Sequence, residues 1–201
     1  SGGHTQLFNV ERPGRYELLG GTRDDAAGEA FDKIGKILGL PYPGGPSIEK
    51  AARGGDAAAF DFPRAMKHSG ECDFSFSGLK TAVRLKVEEL GELSPLTIAD
   101  VAASAQEAIV DALAFKSVMA VERKKGTRFY IAGGVAANGR LREVMKERIA
   151  SAGAEVSWPP IRYCTDNAAM IACAAWHHLC AGHRDGLDLN TFPRGELRSW
   201  A

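Results

Sequence analysis

Polar and apolar side chains interleave over Thr5-Gln6-Leu7-Phe8-Asn9-Val10, and Arg15-Tyr16-Glu17-Leu18-Leu19 continues in the same manner. Between them Glu11-Arg12-Pro13-Gly14 has turn chemistry, so the pattern predicts two strands around a turn, ending at Gly20-Gly21. The period then changes. Ala27, Ala30, Phe31, Ile34, Ile37 and Leu38 recur at helical spacing, and Gly39 can end that helix.

From Pro41 the chain is broken by Pro43, Gly44, Gly45 and Pro46, with short helices expected from Ser47 and Ser77. Residues of about 41–94 therefore read as a helical insertion over a sheet. Thr97-Ile98-Ala99-Asp100 has the form of a capping box, with aspartate in the usual glutamate position. It predicts the start of a long helix with Ile98, Val101, Ala105, Ile109 and Leu113 on one stripe. A strand over Arg128–Ala132, a helix carrying Leu141, Val144, Met145 and Ile149, a strand over Glu155–Trp158 and a last helix from about Asp166 complete an α/β order.

Composition alters this picture little. Of 201 residues, 45% are apolar and 25% charged, as in ordinary globular domains. The 25 basic and 25 acidic residues cancel, so contact with a nucleic acid would need a local patch or a partner subunit. Cys72, Cys164, Cys173 and Cys180 form no CxxC pair, and Cys173 and Cys180, one heptad apart, read as core filling. With no signal peptide and no long apolar run, the expected compartment is the cytoplasm. The chain opens at Ser1-Gly2-Gly3, in mid-motif and without methionine, which reads as a piece of a longer protein.

Candidate chemistry lies where glycines follow strands. Ser1-Gly2-Gly3-His4-Thr5, Leu19-Gly20-Gly21-Thr22 and Ala132-Gly133-Gly134-Val135 can each turn backbone N–H groups toward a phosphate, or can be ordinary tight turns. Gly133-Gly134-Val135-Ala136-Ala137-Asn138-Gly139 joins a strand to a helix. There Asn138 is either an N-cap or an amide that reads a nucleotide. Asp32 is either half of an i,i+4 pair with Lys36 or an acceptor for ribose hydroxyls, with Gly28 leaving room for the ligand. In Phe74-Ser75-Phe76-Ser77-Gly78-Leu79-Lys80, Ser77 can cap a helix or help to bind an anion at its N-terminus. Before the last helix, Asp166 or Thr165 can act as a cap, and the Asp166 carboxylate is also a suitable ligand for iron or zinc. His177 and His178 point to different sides of a helix and make no i,i+4 metal clamp.

Taken together, six blocks in order resemble the tRNA N6-adenosine threonylcarbamoyltransferase family (TsaD-type), once labelled glycoproteases. They are Ser1-Gly2-Gly3-His4-Thr5-Gln6-Leu7, Gly28-Glu29-Ala30-Phe31-Asp32-Lys33, Leu40-Pro41-Tyr42-Pro43-Gly44-Gly45-Pro46, Phe74–Lys80, Gly133–Asn138 and Tyr163-Cys164-Thr165-Asp166-Asn167. The resemblance implies an actin-like (ASKHA) fold of two ribonuclease-H-like lobes, with residues 1–201 as the C-terminal nucleotide-binding lobe and the N-terminal lobe outside this chain. It further implies transfer of a threonylcarbamoyl group from threonylcarbamoyl-adenylate to the N6 amine of the tRNA adenosine next to the anticodon, with release of AMP.

Carried over by motif, Ser1, Gly2 and Gly3 would hold the phosphate or acyl end, Asp32 the ribose, Gly45 the nucleotide and Asn138 the nucleoside. Asp166 would be the catalytic metal ligand, for iron first and zinc second. The family's two metal-binding histidines belong to an HxxGH-type motif that this chain lacks, so the resemblance implies that the chain alone is inactive. Implied partners are tRNA, an actin-like paralogue and a small ATPase, with no membrane. A kinase of the same superfamily and a non-catalytic nucleotide-binding subunit are the competing readings; the kinase would need a catalytic aspartate beside an acceptor hydroxyl.

Overall fold

A computed structural model describes residues 3–66, 69–190 and 197–200. The chain is mixed α/β, as the hydrophobic pattern predicts. Strands β1 (Gln6–Arg12) and β2 (Arg15–Gly21) form an antiparallel hairpin closed through Gly14, whose φ of +87° suits glycine. Four helices follow: α1 (Ala27–Ile37), α2 (Gly44–Ala52), α3 (Ser77–Leu90) and α4 (Pro95–Lys124). Then come β3 (Arg128–Tyr130), a 3-10 turn (Gly134–Ala137), α5 (Gly139–Ser151), β4 (Glu155–Ser157), a second 3-10 turn (Ile161–Tyr163) and α6 (Ala168–Cys180). Among the described residues β3 pairs with β4 in parallel, separately from the hairpin.

Helix α4 is the centre of the core. Val101, Ala105, Ile109 and Leu113 are buried on one stripe, and so are Ala103, Val110 and Ala114 on the opposite face. A helix apolar on all sides has to be enclosed, and its alanines let α2 and α5 approach closely. The same closeness makes Gly55 necessary, because a Cβ there would lie 2.1 Å from the Ala99 carbonyl oxygen. The expected start of α4 needs correction. Ser94 is the cap, accepting from Thr97 N at 3.1 Å, with Pro95 in the first turn. The Asp100 carboxylate instead accepts from Asp56 N at 2.8 Å.

A buried cation also ties the loop before α3 to this core. Lys116 is 2% exposed, and its Nζ donates to Ser69 O at 3.2 Å, Ser69 Oγ at 2.9 Å and Glu71 O at 2.6 Å. Burial pushes the pKa of this ammonium below the ordinary lysine value. Seven residues further along α4, Arg123 donates to Gly70 O.

The last helix differs from the others. Its N-cap is Asn167, which accepts from Met170 N at 3.0 Å, rather than Asp166 or Thr165. None of its residues is buried, and Met170, Ile171, Trp176 and Leu179 are exposed. Cys173 and Cys180 are exposed too, so the expectation that they fill the core is wrong; their helix lacks a covering layer among the described residues. No helix among the described residues is long and apolar enough to cross a membrane.

Candidate functional site

The helix α1 brings two expected segments together. At its start, Thr5 is buried and its Oγ accepts from Ala27 N at 2.9 Å, which fixes the chain end carrying Gly3 and His4 beside the helix N-terminus. Gly3 is exposed, and a Cβ there would meet no atom within 4 Å. Ser1 and Gly2 lie outside the described residues. About one and a half turns along α1, Asp32 Oδ1 accepts from Gly44 N at 2.7 Å. This corrects the i,i+4 alternative for Asp32: among the described residues its carboxylate holds the N-terminus of α2 rather than Lys36. Gly44 is required there by packing, since a Cβ would lie 2.5 Å from Asp32 Cα. Gly45 is different. It faces open space, with nothing within 4 Å of its would-be Cβ.

One turn beyond Gly45, Glu49 Oε1 accepts from Gly139 N at 3.0 Å, joining α2 to the start of α5. Asn138 is the N-cap there, its Oδ1 accepting from Leu141 N at 2.9 Å. Its Nδ2 donates to Gln106 Oε1 of α4 at 2.8 Å, and the side chain is buried. Asn138 is therefore a structural cap with one amide hydrogen uncommitted among the described residues. Thus Asp32, Gly45 and Asn138, separated by up to 106 positions in the chain, are linked through α1, α2 and α5. Upstream, Gly133 has φ of +92°, so the Ala132-Gly133-Gly134 turn needs glycine at its centre.

Two other candidates are explained by packing. Gly20 lies against Cys72, where a Cβ would come within 2.3 Å of the carbonyl oxygen, so the Gly20-Gly21 pair serves the hairpin's contact with residues 72–74. At the start of α3 the anion is internal. Asp24 accepts from Ser75 Oγ at 2.5 Å, Phe76 N at 2.8 Å, Ser77 Oγ at 2.9 Å and Ser77 N at 3.2 Å. Burial opposes the charged form, but these four bonds outweigh it and hold the Asp24 carboxyl below its ordinary range. The expected Ser77 cap is corrected accordingly: Phe76 occupies the cap position and its side chain makes no capping bond. Lys80 turns toward Asp25, 3.9 Å away.

Asp166 stands apart from that cluster. Its carboxylate is exposed, with no hydrogen bond or ion pair among the described residues. Cys164, two residues earlier, is buried and is reached from α5 by Arg142 Nη2 at 3.5 Å. No three His, Cys, Asp or Glu side chains converge into a metal-binding group among the described residues. Sequence reasoning missed Asp24, Glu49, Gln106 and Arg142, whose roles depend on partners 22 to 90 positions away.

The family model described as tRNA N6-adenosine threonylcarbamoyltransferase matches residues 1–173. A protein of that name from Anaeromyxobacter dehalogenans (strain 2CP-1) is 53% identical over 198 residues, covering 98% of this chain and 59% of its own length. One from Paracidovorax citrulli is 54% identical over 182 residues, covering 90% of this chain and 52% of its own. One from Variovorax paradoxus is 53% identical over 202 residues, at 99% and 57%. The chain thus spans between half and three-fifths of the length of these relatives.

Proposed function

Because the chain belongs to the tRNA N6-adenosine threonylcarbamoyltransferase family, we propose that it is the C-terminal, nucleotide-binding lobe of a full-length acyltransferase with an actin-like fold. That enzyme moves a threonylcarbamoyl group from threonylcarbamoyl-adenylate to the N6 amine of the adenosine next to the anticodon in tRNA, and AMP leaves. What supports the reading is that Asp32 bonds to Gly44, the neighbour of Gly45, and that Glu49 of the same helix bonds to Gly139, the neighbour of Asn138. An adenylate needs a carboxylate for its ribose, a surface without side chains for close approach and a donor for its base.

In this reading the second oxygen of Asp32 accepts from a ribose hydroxyl while Oδ1 continues to hold α2. Gly45 lets the nucleotide lie against α2. Asn138 offers its remaining amide hydrogen, so it can recognise only an acceptor on the nucleoside. Gly3, with Ser1 and Gly2, receives the phosphate or acyl end beside the α1 N-terminus, where backbone N–H groups favour an anion. The residues of about 41–94, which contain α2 and α3, are the helical insertion of this lobe.

Asp166 suits a divalent cation, because it is a hard oxygen donor without a competing partner among the described residues. It would contribute one ligand to iron, or to zinc, and an N-terminal lobe would contribute the others. When bound, the cation would polarise the acyl carbonyl and stabilise charge on its oxygen. The apolar side chains of α6 that are exposed among the described residues would offer that lobe a surface to rest on. Partner subunits, an actin-like paralogue and a small ATPase among them, would assemble with the full-length protein in the cytoplasm and help to deliver tRNA.

The test is transfer by the full-length protein with its partners, scored as modified tRNA and released AMP. Turnover is expected from that assembly and absent from residues 1–201 alone. An assembly that binds AMP and tRNA but never forms the modified adenosine would overturn the reading in favour of a non-catalytic nucleotide-binding subunit.

A further inference from the structure

Arg142 lies in the second turn of α5, and its guanidinium is shared between two segments. Nε donates to Ala136 O at 2.6 Å, inside the glycine-initiated 133–138 turn. Nη2 reaches Cys164 Sγ at 3.5 Å, and the guanidinium lies 5.3 Å from the centre of the Trp158 ring. Cys164 in turn points its thiol at Pro159 O, 3.6 Å away, and Pro160 O, 3.7 Å away. Among the described residues no carboxylate pairs with Arg142. Its whole set of partners there is a carbonyl, a thiol and an indole face, the last a cation–π contact.

These contacts have a specific geometric effect. The turn that Arg142 holds at Ala136 ends at Asn138, the proposed nucleoside contact, and the segment that it holds at Cys164 continues to Asp166, the proposed metal ligand. We propose that Arg142 is a positioning residue that couples the nucleotide turn to the metal-bearing segment, so that occupation of either favours the binding-competent position of the other. This rests on the functional reading above. A planar fork is needed for the task, because the two contacts leave from different nitrogens in fixed directions; a lysine ammonium is a point donor and cannot hold both ends. Coupling between two sites is reciprocal, so it can be read from either ligand.

The experiment measures AMP affinity of the full-length protein by calorimetry, with and without saturating Zn²⁺. In the wild type the ion should tighten AMP binding by about fivefold or more, within the usual range of such couplings. In Arg142→Lys and Arg142→Gln the two affinities should become equal, with Zn²⁺ content retained. Should Arg142→Gln fail to fold, Cys164→Ala severs only the far end of the tie and should weaken the response in the same sense. A wild-type response in both Arg142→Lys and Cys164→Ala would overturn the proposal, as would a wild type whose AMP affinity ignores the ion. Asp166→Asn separates this failure from that of the underlying reading. If that variant still responds to Zn²⁺ as the wild type does, the metal assignment itself is wrong and the coupling falls with it.

Discussion

Asp32 Oδ1 and the Gly44 N–H, 2.7 Å apart, connect the middle of α1 to the first residue of α2. One carboxylate therefore has a structural bond and, in the proposed site, a ligand bond on its other oxygen. The two can be separated. Asp32→Ala should weaken AMP binding by about 10- to 100-fold and also lower the melting temperature, since both bonds go. Asp32→Asn keeps an acceptor for Gly44 N and should recover the melting temperature without recovering the affinity. Full affinity in Asp32→Asn would mean that the ribose contact does not depend on charge.

Adjacent glycines give a second contrast. Gly45→Ala should leave stability unchanged or raise it by about 0.5–1 kcal/mol, because the position is open and glycine is unfavourable within a helix. AMP affinity should fall all the same, as the methyl occupies the space assigned to the nucleotide. Gly44→Ala should instead destabilise the fold, its Cβ clashing with the α1 backbone at Asp32. Thermal melts and calorimetry on the full-length protein decide both.

Asp166→Asn should abolish transfer while leaving the melting temperature unchanged, since the carboxylate has no partner among the described residues. Metal content should fall and kcat with it. Asn138→Ala should do something else. Loss of an N-cap and of the Gln106 bond costs about 1–2 kcal/mol of stability, and the effect on transfer should fall mainly on KM. Normal turnover by a folded Asp166→Asn protein would remove the metal assignment.

Acid should erase the stability difference between the wild type and Asp24→Asn. The folded-state pKa of Asp24 lies below its ordinary value, so its contribution is fully present above the ordinary value and is lost as pH falls through the folded one. At neutral pH Asp24→Asn should lower stability, because the amide cannot accept from both serine hydroxyls and both backbone N–H groups as the carboxylate does. The gap between the two proteins should close as the medium is acidified below about pH 4, the unfolded aspartate value. Urea melts at a series of pH values check the sign; a gap that widens in acid contradicts it.

Local periodicity made much of the fold legible. Ala27 to Leu38 marked α1, and Gly39 and Gly153, both at positive φ, stand just past helix ends. Motif order made the family legible, and with it the candidates Asp32, Gly45, Asn138 and Asp166. What remained hidden was the use of each side chain by distant parts of the chain. Nothing near Asp24 in sequence shows that it closes α3, because its partners begin 51 residues later. Gly44 and Gly45 look alike in sequence, and only the approach of α1 makes one a packing requirement and leaves the other open. The α4 capping box was a misreading of the same kind: Asp100 had a tertiary partner, which left the cap to Ser94.

On the proposed reading, helix α6 also bears on how a partly assembled protein would avoid unproductive chemistry. It follows Asp166 directly, yet it buries none of its own side chains among the described residues. In the proposed site Arg142 steadies the segment before Asp166, and a second surface seated on the helix after it would bring up the ligands that Asp166 lacks. Docking and metal capture would then be one event, and a half-assembled protein would have no Lewis acid with which to hydrolyse its labile adenylate unproductively.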